Sequence, residues 1–202
     1  MRPLTRPQSK RADMGTAQTA RADECALLPR AVELLEAAYD RGELSLGTLC
    51  QVHALLVDAP AGIGGRLRNG PAVVRLEGLM TFVPPPAAAA RSGAEMFAAA
   101  LTEQLSTASQ DVPPPVLAAQ ASARFTDLHP FADGNGRVAR AIATWLLVRA
   151  GYRPKPGLSL DRFCHRYQVE HYRALWHHKQ DPWAWHQFFL DAVLACFAPP
   201  CS

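Results

Sequence analysis

Residues 129–140 read His129-Pro130-Phe131-Ala132-Asp133-Gly134-Asn135-Gly136-Arg137-Val138-Ala139-Arg140. Each polar type in this stretch has a use. A histidine titrating near neutrality can take a proton from an attacking hydroxyl. Asp133 offers a hard oxygen ligand, and Mg²⁺ needs only one or two carboxylates when phosphate oxygens complete its shell. Gly134, Asn135 and Gly136 permit positive φ and close backbone approach. A helix that starts beside such a loop is a generic anion site. Arg137 and Arg140 lie three apart, on one face of that helix's first turn, where a cation is disfavoured by roughly 0.3–1 kcal/mol. Two like charges at the wrong helix end make sense when a polyanion lies between them, and a triphosphate fits. A base, a metal ligand, an anion nest and two cationic clamps are the parts of phosphoryl-type transfer. Taken singly, each feature has a plainer reading. A His before Pro stops a helix, Asp-Gly-Asn-Gly is a turn, and two arginines in a helix are usually solvated or salt-bridged. The spacing and terminal Glu of an EF-hand are missing.

The elements that must position this loop are helical. Pro130 biases His129 toward extended geometry and ends the preceding helix. The apolar pattern predicts helices over 115–128 before the loop and 136–150 after it. Upstream, helices are expected from Cys25 to about Gly42 and from Ser45, a plausible N-cap, to Asp58. The Gly- and Pro-rich stretch 60–71 is a loop. Val73–Val83, turning at Glu77-Gly78, is the one β-hairpin, closed by Pro84-Pro85-Pro86. Further helices fit 92–107, 161–179 (in one or two pieces) and 182–197. The architecture is all-α with one small hairpin.

The twelve residues match the motif H-P-F-x-[D/E]-G-N-G-R-x-x-R at every specified position, and the chain resembles a Fic domain over 25–198. Residues 1–24 are expected to be a disordered tail and 199–202 a C-terminal tail. The resemblance implies a Fic-type helical bundle and a nucleotidyltransferase that moves AMP from ATP to a protein hydroxyl. By position, His129 is the general base, Asp133 holds Mg²⁺, and the Gly134–Gly136 backbone forms the anion hole braced by Asn135. Arg137 and Arg140 then bind the β and γ phosphates. Gly65-Arg66-Leu67-Arg68 and the hairpin resemble the family's flap, whose Glu77, Gly78, Leu79 and Met80 would align the target protein as an added strand. Tyr172 would stack on the nucleobase or pack in the core. His171-Tyr172 stands where a tyrosine pair is common, which leaves other donors open: UTP, GTP or a CDP-alcohol. Removal of nucleotide or phosphate groups, on a small molecule, and a catalytically silent nucleotide-binding module are the competing readings. No Glu has Ser or Thr four residues before it, so the family's inhibitory motif is absent. Inhibition then falls to a separate small antitoxin-like protein or does not occur.

Composition bounds the rest. The chain has 202 residues, 49% of them hydrophobic, enough for one domain with a real core. With 21 Lys+Arg against 18 Asp+Glu, the net charge of +3 is too even for a general nucleic-acid binder. No apolar run is long enough for a membrane span. The five scattered cysteines form no CxxC and suit a reducing compartment. The expected location is the cytoplasm, or export as an effector by a non-classical route. The late histidines (His165, His171, His177, His178, His186) are expected in structural or solvated roles, and His53 as a satisfied core histidine.

Overall fold

In a computed structural model the chain is described over residues 14–57, 62–76, 80–107 and 112–200. Eight helices lie in these residues: α1 (Met14–Asp40), α2 (Leu46–Leu56), α3 (Ala87–Ser106), α4 (Pro114–Leu128), α5 (Asn135–Arg149), α6 (Leu160–Arg166), α7 (Gln168–His177) and α8 (Pro182–Cys196). Strands β1 (Val74–Leu76) and β2 (Met80–Phe82) form the antiparallel hairpin, with Val74 opposite Phe82. The fold is all-α, as the apolar periodicity predicts. Among the described residues there is no helix long and apolar enough to cross a membrane.

Local chemistry sets the helix ends. Ser45 caps α2: its hydroxyl accepts the Thr48 N–H, and the Thr48 hydroxyl accepts the Ser45 N–H in return. Pro114 and Pro182 occupy first turns, where the missing N–H costs nothing. Asp181 caps α8 through the Trp183 N–H, and Ser159 caps α6 through the Arg162 N–H.

The centre is the α4–α5 pair. Helix α5 is buried on nearly every side: Val138, Ala139, Ala141, Ile142, Ala143, Trp145, Leu146 and Leu147 all lie inside. A helix that is apolar all round must be surrounded. It packs on α4, whose Ala118, Ala119, Ala121 and Ala123 are also buried, and small residues let two helix axes approach closely. Helices α1, α2 and α8 close around this pair. Trp145 is fully enclosed; truncating it to Ala would cost about 3–5 kcal/mol. The motif loop thus connects the two helices at the centre of the core.

Three expectations need correction. Helix α1 starts at Met14, not Cys25, so the second half of the expected 1–24 tail is helical. Ala, Gln, Arg and Glu there are good helix formers without an apolar face, and a search for periodicity passes over them. Residues 1–13 lie outside the described residues. Phe197 leaves the last helix to pair, with Ala198, against Arg153–Pro154 as strands β4 and β3. Strands of two residues carry no alternation to read; only tertiary contact makes them. Finally, His129 is not extended. It lies in the left-handed region at φ 47, ψ 54, as the C-cap of α4. A left-handed C-cap stops a helix as well as an extended residue does, but for a non-glycine it costs on the order of 1–3 kcal/mol.

Candidate active site

His129, Asp133, Gly134, Asn135, Gly136, Arg137, Arg140 and Tyr172 line one cavity of about 760 Å³. Its opposite wall is the segment from Arg66 to Val74 that leads into the hairpin. Met80 stands opposite Leu76 where the hairpin strands pair. Glu77, Gly78 and Leu79 lie outside the described residues.

The loop is braced from within. The Asn135 side chain accepts the Phe131 N–H and donates to the Phe131 carbonyl, both at 2.9 Å, and is itself buried. Both ends of its amide are engaged, so Asn135 shapes the loop as a brace. Phe131 is fully buried and stacks on the His53 ring at 3.9 Å. Gly134 is the N-cap of α5 at φ 77, and a Cβ there would meet a Val57 methyl at 2.3 Å. Only glycine satisfies both the angle and the approach. No side chain caps α5, so its first-turn N–H groups face the cavity without a competing oxygen from this end.

His53 is the residue whose importance sequence reasoning missed. It is fully buried, as expected for a core histidine, but it also ties α2 to the loop. The Gly65 N–H donates to its Nδ1 at 2.9 Å, so that nitrogen carries no proton. Its Nε2–H therefore donates to the Asp133 carbonyl at 2.9 Å. Burial holds this ring below the ordinary histidine pKa, keeping the neutral form that both bonds require. A histidine on an otherwise apolar helix face, in a chain with a loop to anchor, is the only signal.

His129 is prepared differently. Its Nδ1 lies 3.2 Å from the Thr126 carbonyl, which can only accept, so Nδ1 carries the proton and Nε2 keeps a lone pair. Burial pushes its pKa below the ordinary value, the Arg68 charge acting in the same direction against the Thr126 bond. A neutral imidazole with an open nitrogen is competent as a base. Asp133 is largely exposed, and Arg137 donates to it at 3.2 Å, a surface pair worth about 0–1 kcal/mol. Arg137 also donates to the Leu56 carbonyl. Arg140 pairs with Asp161 of α6 through both Nε, at 2.7 Å, and Nη2. Each clamp thus has a carboxylate beside it, the salt-bridged outcome that two arginines in a helix allow. Asp161 sits 21 residues beyond Arg140, and nothing in its sequence surroundings announces the pairing.

Tyr172 lies beside His171, whose ring is buried among Trp185 and Phe188; burial drives its pKa down to about 3. His178 is the opposite case. It binds Asp127 at 3.0 Å, and that bond raises its pKa. Among the described residues no group of three His, Cys, Asp or Glu gathers where a metal ion could sit.

Several known proteins resemble this chain. It is 49% identical over 45 residues to a protein adenylyltransferase and cysteine protease, IbpA, of Histophilus somni. It is 51% identical over 37 residues to the protein adenylyltransferase Fic of Aedes aegypti. These matches cover 22% and 18% of the chain but 1% and 7% of those longer proteins. Among solved structures, a Fic family protein from Desulfovibrio desulfuricans matches 81% of the chain and 50% of its own length at 26% identity, TM-score 0.59. The BepC protein of Bartonella tribocorum, solved with bound AMPPNP, matches 93% of the chain and 89% of its own length at 14% identity, TM-score 0.64. The latter likeness concerns the fold alone. The Fic/DOC family model matches residues 43–147, from the loop before α2 to the end of the α5 core, and the chain belongs to that family.

Proposed function

We propose that the chain transfers AMP from ATP to a hydroxyl side chain of a target protein. One observation carries this reading: a neutral imidazole with an open Nε2, an uncapped helix start and two arginines all border a single cavity. The relatives named protein adenylyltransferases support it. The polyphosphate lies across the Gly134–Gly136 backbone, with Arg137 and Arg140 on its β and γ groups. His129 Nε2 takes the proton of the acceptor hydroxyl. The hydroxyl oxygen then bonds to the α-phosphorus as the bond to the bridging oxygen breaks, and pyrophosphate leaves with the electron pair. The acceptor segment lies along the hairpin, held by main-chain bonds that ask little of its sequence. Tyr172 lies against the base.

Magnesium fits these residues. Asp133 is the one carboxylate among the described residues that line the cavity, and one is sufficient when phosphate oxygens supply the remaining ligands. When bound, the ion neutralises phosphate charge and favours the departure of pyrophosphate.

The test is mass spectrometry of lysate proteins after incubation with each nucleoside triphosphate, comparing wild type with His129→Ala. Addition of AMP that disappears in the variant is the expected result. Addition of a different nucleotide would change the donor, and release of AMP from already modified proteins would reverse the reaction's direction. Absence of any His129-dependent change would end the proposal.

A further inference from the structure

Arg68 is buried, with 9% of its surface exposed, yet its guanidinium has no carboxylate partner among the described residues. Its acceptors are three main-chain carbonyls from three separate places. Nε donates to His129 at 2.7 Å, Nη1 to Gly70 at 2.9 Å, and Nη2 to Pro85. Gly70 lies before β1 and Pro85 after β2, so two of the three bonds hold the two ends of the hairpin. The third holds the residue that carries the base. The same junction has backbone links: the Arg68 N–H donates to the Pro130 carbonyl at 2.9 Å, and Leu67 bridges Phe131. From the hairpin itself, the Phe82 ring stands edge-on to the His129 ring at 6.4 Å.

These bonds meet a need created by the sequence. His129 is the only described non-glycine residue with positive φ, and its conformation aims its carbonyl toward Arg68. Residue 130 is proline and brings no N–H of its own to this corner. A donor must come from elsewhere, and it must reach three carbonyls at once. Guanidinium is a rigid planar fork with five N–H groups; an ammonium is a single point on a flexible stem.

We infer that Arg68 is a positioning residue: it fastens both ends of the hairpin to the main chain of His129, so that the edge receiving the acceptor and the imidazole that deprotonates it keep a fixed mutual geometry. The inference rests on the reading of His129 as base and of the hairpin as docking edge. A loss of that geometry by an ångström is enough to reduce transfer by about 10²-fold.

The test compares wild type with Arg68→Lys and Arg68→Met. Transfer of label from α-labelled ATP onto lysate protein should fall by about 10–10² in both. Affinity for ATP with magnesium, by calorimetry, should stay at the wild-type value, because the phosphate-binding groups are not touched. Amide exchange of Gly70, of residues 72–76 and 80–83, and of Phe131 should accelerate together by about tenfold. Wild-type transfer in Arg68→Lys would overturn the inference, and so would a fall in ATP affinity parallel to the fall in transfer, which marks general loss of fold. Should the variants not fold, the wild-type protein still decides: under mild denaturant the hairpin amides and the Phe131 amide should open in one step, and separate openings would overturn it. If wild type transfers nothing, the functional reading fails, while the exchange measurement continues to judge the joint.

Discussion

The motif loop and the hairpin face each other across one cavity, but they are held in opposite ways. The loop joins two central helices; Asn135 braces it from within on Phe131, and α2 and the residue after it back it through His53 on the Asp133 carbonyl and Val57 against Gly134. The hairpin has strands of three residues and is gripped at its ends by a side chain from outside it. Bond making at phosphorus requires fixed distances, and a contiguous loop bonded within itself and to α2 provides them. Docking of an extended segment tolerates some sliding, and an edge fixed at its two ends allows it.

This contrast can be broken from either side. The largest effect belongs to the loop: His129→Ala should reduce transfer of label from α-labelled ATP by about 10²–10⁴-fold while leaving thermal stability near wild type. Loss of stability in step with activity would mean that His129 serves the fold and not the reaction. Next comes Arg140→Ala, expected to weaken transfer by about 10²–10³-fold and to leave the Asp161 carboxylate without its partner. An unchanged rate would remove Arg140 from the phosphate site and leave it as a helix–helix tie between α5 and α6. Asn135→Ala tests the bracing directly. It strands the Phe131 N–H and carbonyl in the core, and should cost about 1–3 kcal/mol in urea unfolding. A hairpin change such as Val73→Ala, at a half-exposed position, should cost less than about 0.5 kcal/mol by the same measurement.

Near neutrality the smallest effect is in pH. His171 titrates at about 3 in the fold, against the ordinary 6.5 when unfolded. The folded state then binds fewer protons, so this stabilisation is complete above pH 6.5 and declines as pH falls toward 3. Between pH 8 and 7 the loss is only about 0.1 kcal/mol, and it grows with each further unit of acid. His53 and His129, also lowered by burial, act with the same sign. His178, raised by Asp127, acts against them: its contribution is present below 6.5 and lost as pH rises through its folded value. Thermal unfolding from pH 4 to 8 should show the acid decline flatten in His171→Phe. The pH profile of transfer should fall at a pH below 6.5, as His129 takes a proton and ceases to be a base.

Much of this molecule can be read in its residues. The capping Ser45, helix-starting prolines and apolar spacing mark the helices from α2 to α8, because these signals act within one or two turns; α3, which has no side-chain cap, starts at Ala87, five residues before the expected 92. Strict apolar–polar alternation is missing from the hairpin, but the β-formers of Val73–Val83 around Glu77-Gly78 are sufficient to locate it. The twelve-residue loop discloses its chemistry because its parts are consecutive and each has few other uses at that spacing.

What the residues do not disclose depends on closure in three dimensions. The partnership of Arg140 with Asp161, the bridge made by His53, and the grip of Arg68 on His129 join positions separated by 21, 80 and 61 residues. So does the left-handed turn at His129, since a local rule for the residue before proline favours extended backbone and the surrounding bonds override it. Sequence alone determined which groups are available for reaction, since identity and short spacing are chemical facts of the chain. Tertiary structure decided their protonation, their partners and their aim, since burial and long-range hydrogen bonds exist only after the helices have packed.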